Sequence, residues 1–267
     1  MKIKRILLCE DSFEGILSAV YEAYTSRYGL HDIGVQLISD ENRQTALFSE
    51  YKVVPTDTKH AEAVAEAVKK KISERAFWTI FYASCAADES KAEAIYRFIV
   101  YGLFYGNKVM DALNELEIRL VMQLSRKVSR ESDHLYGFLR FECVTISGQT
   151  LLAAKIRPKH QQLRQMAWYF SKRYPNETFM ICDVGRRLAC THKSGSDCEF
   201  FQYDDTIFKN AEVSVQNSDM YEKLWRTYFN TTEIRQRLNP KCQMTMMAKR
   251  FWAYMPEMAD KNDSDVQ

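Results

Sequence analysis

A histidine and two arginines stand close together at Arg130, His134 and Arg140. Imidazole titrates near neutrality and can give or take a proton; guanidinium can hold a phosphate through two parallel hydrogen bonds. Read at strand spacing, Arg140 shares a face with Phe138, and an ion pair with Glu131 or Asp133 is the competing use of that arginine. His160 opens a basic helix, where backbone N–H groups and Arg164 together could hold an anion; simple helix entry is its plainer role. Asp183 ends a strand just before Arg186 and Arg187, a pattern that serves to fix an arginine in a turn or to move a proton. Arg235, Arg237, Lys249 and Arg250 flank Asn239-Pro240 and read as a phosphate-facing surface. Trp252 and Tyr254 either pack that surface down or stack on bases. His134 and Asp183 are thus the candidate catalytic residues. Arg130, Arg140, His160, Arg164, Arg186, Arg187, Arg235, Arg237, Lys249 and Arg250 are the candidate nucleic-acid contacts.

The charge distribution favours phosphate as the partner of these cations. The 267 residues carry a net charge of only +2. Residues 1–118 hold 14 Lys/Arg against 18 Asp/Glu, whereas 119–267 hold 23 against 17. Lys155–Arg173 has six basic residues and no acid, and Lys223–Arg250 has seven against Glu233 alone. Clustered positive charge is the electrostatic footprint of a polyanion site. Solvated helix faces that are basic by chance are the alternative.

Several chemistries have no sequence support. No Gly-rich phosphate loop, His-Glu-x-x-His run, Gly-x-Ser-x-Gly elbow or deaminase Cys-x-x-Cys occurs. Cys182, Cys190 and Cys198 are spaced by eight around His192, without the close pair of ligands that zinc sites use. No three-cysteine cluster suits a radical-SAM iron–sulfur centre, and seven cysteines without close pairs do not form a disulfide framework. No metal or cofactor is therefore expected. No apolar run reaches the ~18–20 residues of a membrane helix, and the Ile6–Cys9 run is too short for a secretory signal. A cytoplasmic protein with no membrane partner is expected.

Positioning these residues requires an α+β chain. Its pattern is a helix-rich N-terminal half with a short β-α-β start, then an antiparallel hairpin-helix-hairpin region and C-terminal helices. Lys4–Cys9 is strand-like, and Asp11-Ser-Phe-Glu14 has the pattern of a capping box opening a helix. Strands follow at Gly34–Ser39 and Tyr51–Val54, and helices at Thr56–Lys71, Glu74–Ala83 and Lys91–Tyr105. A long helix is predicted over about Asp111–Ser129, a hairpin over Phe138–Ile146 and Thr150–Ile156 with Ser147-Gly148 as its turn, and a basic helix over Gln161–Arg173. Strands at Thr178–Val184, Leu188–His192 and Cys198–Tyr203 precede a helix at Asp219–Leu238, stopped by Pro240. A last helical piece covers about Thr245–Tyr254. The division expected is 1–135, mostly helical, 136–257, basic and α+β, and an acidic tail at 258–267.

Local strings resemble one bacterial family, the "probable DNA metabolism protein" family (domain-of-unknown-function family 4130). The most specific runs from Asn239-Pro-Lys-Cys-Gln to Lys249-Arg-Phe-Trp-Ala-Tyr-Met-Pro-Glu257 and is similar to the family's closing pattern. Leu224-Trp-Arg-Thr-Tyr-Phe229 with Ile234-Arg235, Arg130-Glu131 with His134 and Gly137-Phe-Leu-Arg-Phe141, Pro158-Lys-His160, Asp183 and Ser12-Phe-Glu-Gly15 resemble further family positions. The chain departs from the pattern at Cys9-Glu10-Asp11, where relatives read Tyr-Asp-Gly, at Gln161 for Asn and at Tyr169 for His. The resemblance implies a role in DNA metabolism beside a radical-SAM protein that modifies or repairs DNA. Some relatives are fused to a uracil-DNA-glycosylase-like domain.

The function expected is a nucleic-acid-binding accessory protein of DNA repair or modification acting with a radical-SAM partner. The alternatives are a glycosylase-like or nuclease-like enzyme using His134 and Asp183, and an assembly subunit that docks an acidic protein without binding DNA.

Overall fold

A computed structural model describes residues 4–39, 48–146, 149–204, 212–213 and 215–258. The chain is α+β and divides into two compact units, 1–130 and 131–267.

The first unit opens with β1 (Lys4–Cys9), α1 (Phe13–Thr25) and β2 (Ile33–Leu37), and continues with β3 (Ser49–Val53). Both β2 and β3 pair with β1 in parallel, giving the order β2-β1-β3. Helices α2 (Thr58–Lys71), α3 (Glu74–Ser84) and α4 (Lys91–Tyr105) follow. The cap of α1 is Ser12, whose Oγ accepts from Gly15 N at 2.9 Å. Asp11 is used differently from the capping box expected of it. Its carboxylate pairs at 2.6 Å with the Lys91 ammonium, which is buried and also donates to Ala86 O. A buried ammonium needs such partners because its desolvation is costly. Tyr96 and Phe98 of α4 lie in the core, while Phe104 at the end of the helix is 81% exposed.

Helix α5 spans Leu116–Phe138. It runs further than the Asp111–Ser129 prediction because Leu135 and Leu139 continue the apolar spacing, with Leu139 N still bonded to Leu135 O at 3.0 Å. His134 therefore sits within the helix rather than beyond the predicted end at Ser129. Arg140 lies in the link to the next strand rather than on that strand.

The second unit is built on a six-stranded sheet in the order β8-β7-β6-β5-β4-β9. Its strands are β4 (Glu142–Ile146), β5 (Gln149–Ile156), β6 (Phe179–Asp183), β7 (Leu188–His192), β8 (Glu199–Gln202) and β9 (Glu212–Val213). Every pairing is antiparallel except β5 with β6, which are joined by α6 (Leu163–Arg173) as a crossover. The β4–β5 hairpin forms as expected, while its Ser147-Gly148 turn lies outside the described residues. Strand alternation sorts β6 between two apolar layers. Phe179 and Ile181 pack with Leu163, Met166, Ala167 and Phe170 of α6, whereas Met180 and Cys182 pack with Val144, Ala153, Ala189 and Tyr203.

Helix α7 covers Val215–Thr232, and α8 covers Pro240–Met246. Pro240 starts a helix here instead of ending one. Asn239 Oδ1 caps α8 by accepting from Cys242 N at 3.0 Å, and a proline in the first turn gives up an N–H that would have had no helical partner. A tight turn at Lys249–Tyr254 follows, in which Trp252 is buried and donates Nε1–H to Met247 O at 3.0 Å. Glu257 and Met258 are buried, so the chain is still packed at the first residue of the expected tail; residues 259–267 lie outside the described residues.

Candidate nucleic-acid interface

Three buried carboxylates organise the second unit, and each holds an arginine. Glu131, on α5, has a side chain only 2% exposed. It accepts from Lys159 N at 2.9 Å, His160 N at 2.8 Å and Gln162 Nε2 at 3.4 Å, and pairs with Arg250 at 3.0 Å. One carboxylate thus ties α5, the β5–α6 link and the C-terminal turn together. The two basic segments of the sequence, 155–173 and 223–250, both reach it.

Asp183, at the end of β6, accepts from Gly185 N at 3.0 Å and Arg186 N at 3.2 Å and pairs with the Arg186 guanidinium at 2.9 Å. Arg186 also donates to Pro158 O at 3.2 Å and Lys159 O at 2.7 Å. The Pro158–His160 link is therefore held through its N–H groups by Glu131 and through its carbonyls by Arg186. The third pair is Arg140–Glu257, at 2.6 Å. Arg140 also donates to Gly137 O at 2.7 Å and lies 5.5 Å from the centroid of the Trp225 ring. Its acid is neither Glu131 nor Asp133; the partner stands 117 residues away.

These pairs change what the surface carries. Glu131, Asp183 and Glu257 are buried and each faces a guanidinium, so their negative charge is balanced locally. The end of β5 and the link they hold alternate outward and inward. Lys155, Arg157 and Lys159 are exposed, while Ile156, Pro158 and His160 are buried. The strand period of two continues past the end of β5 and turns three cations to solvent on one side. The sequence marks all three as members of the basic 155–173 run, but they are not among the candidate contacts. The signal that could have found them is their strict alternation with Ile156, Pro158 and His160.

The remaining predicted residues are dispersed in role. Arg130, Arg164, Arg187, Arg237, Lys249 and Arg250 are exposed. The Arg235 side chain lies outside the described residues. Arg187 adopts a left-handed backbone, with φ 54°, at the β6–β7 turn. With Arg186, Gln202, Tyr203 and Asp204 it lines a cavity of about 410 Å³. Lys249 Nζ lies 5.8 Å from the Trp252 ring centroid. His134 is half-buried, with its ring 5.7 Å from Phe138 and 5.9 Å from Phe251, centroid to centroid. Among the described residues no hydrogen bond or ion pair joins His134 to Asp183.

Burial pushes the His160 imidazole below its ordinary 6.5; Glu131 pulls it back up, and Lys159, Arg250 and Arg186 add to the lowering. A histidine depressed in the fold takes up its proton more readily when unfolded. The second unit is therefore expected to lose stability as pH falls below about 6.5. Urea midpoints at pH 7.5 and 5.5 measure this, and the difference should shrink in His160→Gln.

Burial also pushes the Cys182 and Cys190 thiols up to about 12, which leaves them protonated and poor as nucleophiles or ligands. His192 is likewise occupied, with Nδ1 3.0 Å from Glu177 O and its ring stacked on Phe179. Among the described residues no group of three or more His, Cys, Asp or Glu side chains is placed to hold a metal ion.

No curated protein matches the chain. A solved structure described as the DHH domain of a member of a family of ribosomal proteins is similar over 72% of this chain and 74% of its own. The identity is 10% and the TM-score 0.32, which carries no argument about fold or function. The profile of the family described as a domain of unknown function (DUF4130) matches residues 89–257, more than half of the sequence, and the chain belongs to that family.

Proposed function

We propose that this protein is a nucleic-acid-binding accessory protein of DNA repair or modification, and that its second unit provides the binding surface. The observation that carries the reading is the exposed cation row Lys155, Arg157 and Lys159, which runs from the end of β5 into its link to α6, where the neighbouring acids are buried and already paired. Solvent-facing cations attract a polyanion, and on binding they release the counterions condensed on it. Arg164, Lys172 and Arg173 extend the same sign along α6, and no acid occurs anywhere in 155–173. DNA as the nucleic acid, and a radical-SAM protein as the partner, come from the family resemblance of the Asn239–Glu257 string; the cation row suits the first of these.

Binding to a labelled DNA oligonucleotide tests the reading. Affinity is expected to fall by more than about tenfold between about 50 and about 200 mM salt. Binding that ignores salt would remove its physical basis. Recovery of a radical-SAM protein by the tagged chain after nuclease treatment checks the partner separately.

A further inference from the structure

We infer that α6 carries a stacking site for an unpaired base, so that the nucleic acid taken by the second unit is single-stranded DNA. This rests on the nucleic-acid reading above and adds the strand state. The observation is a stripe. Arg164, Trp168 and Lys172 stand four residues apart and are all exposed, on the side of α6 opposite Leu163, Met166, Ala167 and Phe170. Four residues are just over one helical turn, so the three side chains form one row. Trp168 is 58% exposed even though the Lys172 ammonium lies 4.0 Å from its ring centroid. An indole is among the side chains that gain most from burial, and this one stands at the surface between two cations.

That arrangement suits a base and its phosphates together. The indole offers a flat apolar face to a nucleobase, and the row from Arg164 to Lys172 spans about 12 Å, the length of three to four stacked nucleotides at roughly 3.4 Å each. The Lys172 ammonium sits over the indole ring in the free protein, so a stacking base takes the other face or displaces that cation onto a neighbouring phosphate. A duplex hides its base faces within the stack, so a side-chain platform of this kind needs an unpaired strand. The 155–173 segment itself carries no acid; the nearest acids in sequence are Glu142 and Glu177.

The test uses the full chain with a labelled oligothymidine and a blunt duplex of equal length. The wild type should bind the single strand more tightly. Trp168→Ala should lower that affinity by at least about fivefold, Trp168→Phe should restore part of it, and duplex affinity should be unchanged in both. Trp168 faces solvent, and matching circular dichroism spectra would confirm that the variants fold. Salt-sensitive binding untouched by Trp168→Ala, or equal preference for the duplex, overturns the stacking site and leaves the nucleic-acid reading standing. If the wild type binds neither strand, both readings fall.

Discussion

Replacing Glu131 with alanine is expected to cost the second unit about 3 kcal/mol of stability. Two backbone N–H groups, of Lys159 and His160, lose their acceptor, and the His160 N–H bond lies in buried surroundings. A buried donor without a partner costs about 1–3 kcal/mol. The Arg250 side chain, 45% exposed, can turn to water instead, so the ion pair itself contributes little of the total. Arg250→Ala should accordingly cost less than about 1 kcal/mol, which separates the hydrogen-bonding role of Glu131 from its charge. Glu131→Gln keeps an acceptor but loses the charge-assisted strength of the bonds, and should fall between the two. Hydrogen exchange of amides in β5 and β6 measures these differences. A loss in Glu131→Ala no larger than that in Arg250→Ala would show that the carboxylate does not hold the link.

The second large effect concerns binding. The triple variant Lys155→Ala, Arg157→Ala, Lys159→Ala should lower DNA affinity about 100-fold at about 0.1 M salt, since each counterion released there is worth about 1 kcal/mol. All three side chains face solvent, so the fold should survive their removal. Arg186→Ala would be a poor substitute in this experiment. Arg186 pairs with Asp183 and holds two carbonyls of the link, so its loss mixes stability with binding. Titration of a labelled oligonucleotide gives the number, and a loss below about threefold would place the binding surface elsewhere.

Much of the architecture could be read from residue order, for reasons visible in particular elements. β1 and α4 have the predicted bounds because an apolar run or stripe is closed sharply by polar or glycine neighbours. β7, Leu188–His192, is bracketed by turn residues on both sides. The end of α5 was illegible because Leu135, Phe138 and Leu139 satisfy helical spacing while Phe138–Ile146 also alternates like a strand. Pro240 was ambiguous too, since proline both follows helices and starts them, and only the Asn239 cap decides between these. The site was legible as charge and illegible as pairing. Arg140, Arg186 and Arg250 stood out as cations, but whether each faces phosphate or an acid depends on Glu257, Asp183 and Glu131, and two of these lie more than a hundred residues from their arginines. Trp168 is not marked out by the sequence, for a related reason. An aromatic in an amphipathic helix is normally assigned to the core, and only its exposure sets it apart.

The most direct test of a phosphate-binding second unit is the slope of log affinity against log salt concentration, compared between the wild type and the Lys155/Arg157/Lys159 triple variant. The wild-type slope should be steeper by about 2 to 3, three phosphate contacts at roughly 0.7–0.9 each. Two parallel lines would mean that these cations touch no phosphate, and would contradict the account.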